Sequence, residues 1–289
     1  MDDKIVGVRL GELRNRFENE LNTQYEVAEI RQHFALLCAS HLEYGPAQVV
    51  LNLQEKVSEQ IADLLLNDLA ALQKHVPIQY IIGNVDFADV LLKIDKSVLI
   101  PRPETEELVH WILSTTPDDK PLRVLDIGTG SGCIALALKK ARPLWRISAW
   151  DIDRDALSLA QHNAESNQLH IDFQQVDVLT KDLPESNWDV IVSNPPYVPA
   201  ALTKNTKPHV INHEPKHAIF VPDESPLIFY EHIIDYAYKH LAFNGTLFFE
   251  GHAPLMKSVE GLLQEAGFSD IVLQNDFRTN PRFTRAIRQ

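Results

Sequence analysis

The residues best equipped for chemistry lie at 193–197, Ser-Asn-Pro-Pro-Tyr, directly after the apolar run Val-Ile-Val. Such a β-branched run makes a short buried strand. Two prolines, which lack an N–H and hold φ fixed, then stop it in a stiff loop. Asn194 offers an amide oxygen, Pro195 a backbone carbonyl, and Tyr197 a flat ring, with Pro196 stiffening the turn between them. Two acceptors and a ring face suit a planar group carrying an NH2. The plainer reading is a proline-rich turn with a strand-capping asparagine.

A second stretch changes that balance. Val124-Leu125-Asp126-Ile127-Gly128-Thr129-Gly130-Ser131-Gly132-Cys133 reads as a strand, a glycine turn and the start of a helix. Glycines let the backbone approach a ligand, and the helix start aims N–H groups at it. Cys133 stands where the dinucleotide pattern requires its third glycine, and no phosphate-binding lysine follows. Asp126 would welcome a ligand ammonium. Asp151, ending the next strand, can accept both hydroxyls of a ribose. Asp177, followed by Val178, ends the third strand, where an adenine would lie. An amino-acid end, a ribose and an adenine together make S-adenosylmethionine. Some nucleotide-binding and dehydrogenase domains share this acidic–glycine–acidic spacing; the loop at 193–197 favours the methyl donor.

The elements that must position these residues follow from periodicity. Strands are predicted at 122–127, 147–151, 171–177, 188–194, 246–250, 270–274 and 282–288. Helices are predicted at 153–167, from about 226 to 243 with a stop at Asn244-Gly245, and at 254–267. The alternation implies an α/β fold, a parallel sheet covered on both faces, with the last strand antiparallel to its neighbour. Residues 1–82 read as a small helical bundle, with Leu10, Leu13, Phe17 and Leu21 opening a helical apolar pattern that recurs through Leu72. Residues 83–104 read as a linker: a turn at Gly83, a hairpin pairing 87–92 with 93–99, then the rigid Pro101-Arg102-Pro103. Thr105 is expected to cap the next helix, with Glu106 and Glu107 in its first turn. A catalytic domain would span 105–289.

Composition narrows the setting. The 289 residues carry a formal net charge of −13 and two cysteines, Cys38 and Cys133. That weighs against a protein living on phosphate-backbone contacts, and against a disulfide framework or a four-cysteine zinc site. No apolar run of about 18 residues is present, and Met1-Asp2-Asp3-Lys4 lacks a signal-peptide core, so a cytoplasmic protein without a membrane span is expected. His209, His213 and His217 are four apart, but Pro208 and Pro215 interrupt a helix there, so no metal is expected. Residues 199–225 read as a long loop near the site, and His33, His41 and His75 as ordinary surface or partly packed histidines.

The glycine turn with Asn194-Pro195-Pro196-Tyr197 resembles the amino-group methyltransferases of the class I, Rossmann-like fold. Gln79-Tyr80-Ile81-Ile82-Gly83, Phe87 and Leu99-Ile100-Pro101-Arg102-Pro103-Glu104-Thr105-Glu106-Glu107-Leu108-Val109 resemble the peptide chain release factor glutamine methyltransferases over the whole chain, most loosely before residue 75. That resemblance implies methyl transfer from S-adenosylmethionine, with S-adenosylhomocysteine as product, to the glutamine amide nitrogen in the Gly-Gly-Gln motif of class I bacterial release factors. It implies catalytic roles for Asn194, Pro195 and Tyr197. Cofactor contacts are implied for Asp126, Gly128–Gly132, Asp151, Asp177, Val178 and Asn194, and substrate contacts for the 194–197 loop, Arg102 and Pro103. A monomer is expected. Glutamine methylation of a ribosomal protein and N6-adenine methylation of DNA are the competing readings. One element departs from the family: Glu250-Gly251-His252 stands where Glu-x-Gly is usual. His213-Glu214-Pro215 and the Asp276…Arg282 pair match family features of structural character.

Overall fold

The computed structural model describes residues 7–180, 183–201 and 208–289, the side chains of 208–210 excepted. They fall into two compact units: one runs to Gly83 and takes in a later helix ending at His213, and the other holds the rest from Asn84.

In the first unit, β1 (Val8–Arg9) leads into helices α1 (Leu10–Leu21), α2 (Val27–Leu42) and α3 (Pro46–Leu51). Strand β2 (Lys56–Val57), paired antiparallel with β1, precedes α4 (Glu59–Leu72) and α5 (Ile78–Ile82). Local chemistry sets the ends. Ser58 caps α4 by accepting the Ile61 N–H at 3.3 Å, and Gly83 closes α5 at φ +80°. The predicted apolar stripe is the core: Leu10, Leu13, Phe17 and Leu21 are buried, with Phe17 and Phe34 edge to face at 5.1 Å.

The second unit opens with a hairpin, β3 (Asn84–Phe87) and β4 (Val90–Lys93), whose register joins Asn84 to Lys93 and Phe87 to Val90. This corrects the predicted pairing of 87–92 with 93–99. The turn is Ala88-Asp89, at φ 42° and 66°, a conformation usually announced by Asn-Gly. Helix α6 (Pro103–Thr115) starts three residues earlier than expected, so Arg102 is its N-cap and Thr105 lies inside it.

The sheet then follows: β5 (Arg123–Ile127), α7 (Cys133–Ala141), β6 (Arg146–Asp151), α8 (Arg154–Ser166), β7 (Asp172–Gln175) and β8 (Trp188–Ser193). After β9 (Val198–Pro199), α9 (Pro208–His213) and β10 (Phe220–Val221) come α10 (Ile228–His240), β11 (Leu241–Glu250), α11 (Met256–Glu265), β12 (Ser269–Asn275) and β13 (Pro281–Ile287). The seven long strands stand in the order β12-β13-β11-β8-β5-β6-β7. Only β13 runs against the others, inserted between β11 and β12. This is the Rossmann-like sheet expected, with its last strand antiparallel.

Three expectations shift. Strand β7 ends at Gln175, leaving Asp177 two residues beyond it. Helix α10 ends at His240, and Asn244-Gly245 lie inside β11, at a bulge where the Asn244 N–H donates to the Arg288 carbonyl at 2.9 Å. Asn244 takes φ 62°; the left-handed tolerance that suits a helix end suits a bulge equally. The segment 199–225, expected as a loop, contains α9, a 3-10 turn at Lys216–Ala218, and the parallel pair β9–β10. Helix α9 belongs to the first unit, where the His213 ring nitrogen lies 3.0 Å from the Lys74 carbonyl. Met1–Lys4 and the His209 side chain lie outside the described residues. Among the described residues no helix is long and apolar enough to cross a membrane.

Candidate active site

The glycine turn hangs from β5, which lies between β8 and β6 near the middle of the sheet. Gly128, Gly130 and Gly132 all take positive φ, +74°, +55° and +83°. A side chain at Gly132 would begin 2.4 Å from a Leu136 methyl and 3.3 Å from the Ala160 methyl, so glycine there allows α7 to pack on α8. At Gly128 and Gly130 nothing lies within 4 Å of where a Cβ would be: their open faces are left for a guest. The Gly128 and Thr129 N–H groups donate to the Trp150 carbonyl at 2.8 and 3.0 Å, pinning the turn to β6.

Two carboxylates shape the turn from opposite sides. Asp126 is fully buried beneath it and accepts the Thr129 hydroxyl at 2.7 Å, while its other oxygen has no well-formed hydrogen bond among the described residues. Burial pushes this carboxyl up to about 7, against the pull of Thr129 and of the Ala135 N–H at the start of α7. Asp151, at the end of β6, accepts the Gly130 N–H at 2.8 Å and the Asp153 N–H at 3.0 Å. Its carboxyl is also raised, first by burial.

A cavity of about 230 Å³ opens in front of the turn. Gly128, Gly130 and Asp151 line one side, Asp177 and Val178 another, and Asn194, Pro195 and Pro196 a third. The structure thus brings eight of the sequence-predicted residues to one space at the carboxyl ends of parallel strands, where open α/β sheets bind ligands. Asp126, Thr129, Ser131 and Gly132 stand behind this lining. Leu99 from the linker and Phe229 from the first turn of α10 also line the cavity. Sequence reasoning missed both; the apolar run Val98-Leu99-Ile100 before Pro101 was the available signal.

The Asn-Pro-Pro-Tyr loop is anchored from behind. Ser193 ends β8 with its hydroxyl on the Ile127 carbonyl at 2.7 Å. The Asn194 amide nitrogen donates to the Thr105 hydroxyl at 3.3 Å, and that hydroxyl donates to the Glu250 carboxylate at 2.8 Å. Thr105 and Glu250 are both buried, and burial pushes the Glu250 carboxyl up to about 7. Neither Thr105 in this role nor Glu250 was legible as a site residue. Tyr197 lies outside the cavity lining, its ring parallel to that of His252 with centroids 6.0 Å apart. Burial raises its hydroxyl to about 12, so it stays protonated. In the altered Glu250-Gly251-His252 turn, a Cβ at Gly251 would meet the Tyr230 hydroxyl at 2.4 Å and the Met256 sulfur at 2.6 Å, so a larger residue there would have to displace both side chains.

The linker residues expected to meet substrate are placed differently. The Arg102 guanidinium pairs with buried Glu214 at 2.6 Å, and Glu214 also accepts the Ile100 N–H at 3.2 Å. Pro103 is the first residue of α6 and lies outside the cavity lining. Arg282 bonds the Gly251 carbonyl at 2.9 Å and Asp276 at 3.3 Å, closing the far end of β11. Among the described residues no three His, Cys, Asp or Glu side chains cluster to hold a metal ion.

Comparison with known proteins agrees with this geometry. The PrmC N-terminal domain family matches residues 12–83, and the Methyltransferase small domain family matches 108–218. The release factor glutamine methyltransferase of Lactococcus lactis subsp. lactis is 44% identical over 216 residues, 74% of this chain and 78% of the relative. That of Flavobacterium psychrophilum is 35% identical over 275 residues, 94% of this chain and 96% of the relative. The chain belongs to the release factor glutamine methyltransferase family. It is an S-adenosylmethionine-dependent methyltransferase. The fold of this methyltransferase recurs in a T. thermophilus 16S rRNA N2 G1207 methyltransferase solved with AdoMet and guanosine. The match has a TM-score of 0.52 at 18% identity and covers 71% of this chain and 50% of that one.

Proposed function

We propose that this methyltransferase transfers the methyl group of S-adenosylmethionine to the side-chain amide nitrogen, N5, of the glutamine in the Gly-Gly-Gln motif of class I bacterial release factors. The observation that carries this reading is the shared cavity: the open glycine turn and Asp151 on one wall, Asn194 and Pro195 on another. The residues fit the cofactor. Asp151 would offer carboxylate lone pairs to ribose hydroxyls, and Asp177 and Val178 would hold the adenine end. The half-satisfied Asp126 carboxylate lies under the turn where a cationic amino-acid end would rest. When bound, the cofactor supplies a methyl group on a positively charged sulfur.

The chain's own residues position the acceptor. An amide nitrogen is a poor nucleophile because its lone pair is shared with the carbonyl. Asn194 Oδ1 and the Pro195 carbonyl accept its two hydrogens, which points the nitrogen at the methyl carbon. Orientation of this kind contributes up to about 7–11 kcal/mol to lowering a barrier. The same oxygens stabilise the positive charge that grows on nitrogen as the N–C bond forms and the C–S bond breaks; the displaced proton leaves to solvent. Asp126 and Glu250 are turned away from this role, one under the turn and one behind Thr105. A glutamate carboxylate has no hydrogens for the two acceptors and would leave them unpaired, a penalty of about 1–3 kcal/mol.

The test is methyl transfer from labelled cofactor to three acceptors: a release factor, the same factor with its Gly-Gly-Gln glutamine changed to alanine, and adenine-containing DNA. Label on the intact factor alone supports the proposal. Label on DNA or on the altered factor overturns it, and transfer to a ribosomal protein in preference to the factor would reassign the substrate.

A further inference from the structure

We infer that Thr105 and Glu250 are positioning residues for Asn194, fixing which end of its amide faces the acceptor nitrogen. The inference rests on the role proposed above for Asn194. Three elements far apart in the chain meet here: α6 brings Thr105, the end of β11 brings Glu250, and the loop after β8 brings Asn194.

With Glu250 ionised, counting protons sets the polarity of the chain of hydrogen bonds. A hydroxyl has one proton to give, and Thr105 then gives it to Glu250 at 2.8 Å, since an ionised carboxylate only accepts. The Thr105 oxygen can then only accept, so the Asn194 amide presents its nitrogen to it, at 3.3 Å. Asn194 Oδ1, which bears no hydrogen bond among the described residues, is left to face an incoming N–H. A reversed amide would set Oδ1 against the Thr105 lone pairs and turn an NH2 toward the substrate's own NH2, donor against donor. At ordinary resolution an amide's orientation is assigned from such a network; here the network itself dictates it.

Glu250 is built to hold this polarity. Its backbone carbonyl accepts the Tyr230 hydroxyl at 3.2 Å, and the next carbonyl, of Gly251, is held by Arg282 at 2.9 Å. Arg282 and Arg102 face the carboxylate with favourable charge and Glu104 with unfavourable charge. A carboxylate only 1% exposed is costly to keep, and an apolar residue at the end of β11 would stabilise the fold more cheaply. Orienting Asn194 accounts for retaining it.

The experiment is steady-state methyl transfer onto a purified release factor by the full chain and its variants, with cofactor affinity and melting temperature measured alongside. Thr105→Val keeps the shape but removes the hydroxyl. It should lower kcat by about 10- to 100-fold, the loss expected when a preorganised hydrogen-bonded chain ending on a carboxylate no longer holds a reacting group, with cofactor affinity unchanged. Thr105→Ser should restore most of the rate. The double variant Thr105→Val/Asn194→Ala should be no slower than Asn194→Ala alone, because both changes remove one function. A Thr105→Val enzyme within about twofold of the unaltered rate overturns the inference, as do losses that multiply in the double variant. If Thr105→Val does not fold, Glu250→Gln decides by the same criteria, since its amide can donate to Thr105 and reverse the chain. Equal rates of labelling of the factor by unaltered protein and Thr105→Val overturn the inference alone; no label with unaltered protein overturns the proposed reaction and the inference with it.

Discussion

Replacing Asn194 with alanine separates catalysis from folding, and the structure sets the two magnitudes far apart. Asn194 is half-buried, and among the described residues its side chain makes one hydrogen bond, the 3.3 Å donation to Thr105. Thr105 keeps Glu250 as a partner when that bond is lost, so the fold should lose no more than about 1 kcal/mol. Asn194 lines the cavity beside Pro195 and Pro196, while the turn and Asp151 form another wall, so cofactor affinity should change only a few-fold. The transition state loses much more. One of two acceptors facing a growing positive charge disappears, and removing one preorganised partner of this kind elsewhere costs about 10²–10³ in kcat, roughly 2.7–4 kcal/mol. Turnover with a release factor at saturating cofactor, calorimetric cofactor affinity and a denaturation midpoint measure all three. A variant that folds, binds cofactor and turns over within about threefold of the unaltered protein would refute the positioning mechanism.

Asp151→Ala should weaken cofactor binding by at least about 10-fold, the value of one or more hydrogen bonds to a charged group; unchanged calorimetric affinity would remove Asp151 from the site. Asp126 titrates near about 7 in the folded chain, well above an unfolded aspartate, so between those values the folded state holds a proton the unfolded state has released. Its contribution to stability therefore falls as pH rises toward 7 and levels off above, and Asp126→Asn should flatten that part of the melting-temperature profile measured without cofactor; identical slopes would count against it. Gly132→Ala forces a side chain into φ +83° against Leu136, and a loss of about 1–2 kcal/mol from the left-handed backbone is expected in denaturant unfolding, with a stability equal to the unaltered chain as the contrary result.

What was legible in the sequence was local. The glycine turn and the 193–197 loop are contiguous stretches whose residue types are dictated by backbone conformation and ligand approach, and both sit where expected. The central strands β5 and β8 and the end of β11 were readable because their apolar runs are buried almost without a break. What failed depended on backbone signals with two meanings: Asn244-Gly245 served a bulge instead of a helix end, and Ala88-Asp89 hid a tight hairpin turn. What was missed altogether depended on distance. Thr105 looks like a helix cap in its local sequence; only the fold, by bringing β11 and the loop after β8 against α6, gives its hydroxyl Glu250 on one side and Asn194 on the other. The pairing of Arg102 with Glu214, 112 positions later, was likewise beyond local reading.

Asn163 of α8 ties two parts of the second unit into one opening unit. Its buried side chain accepts the Lys93 N–H at 2.8 Å and donates both to the Lys93 carbonyl and to the Ser131 carbonyl, each at 3.0 Å. A single amide thus imitates a neighbouring strand for the edge of the hairpin while holding the glycine turn. Exchange of the Lys93 amide hydrogen with solvent requires that amide to let go, and letting go also frees Ser131. A ligand that steadies the turn should slow the same opening, so Lys93 amide exchange, compared with and without cofactor, tests whether the hairpin and the glycine turn open together.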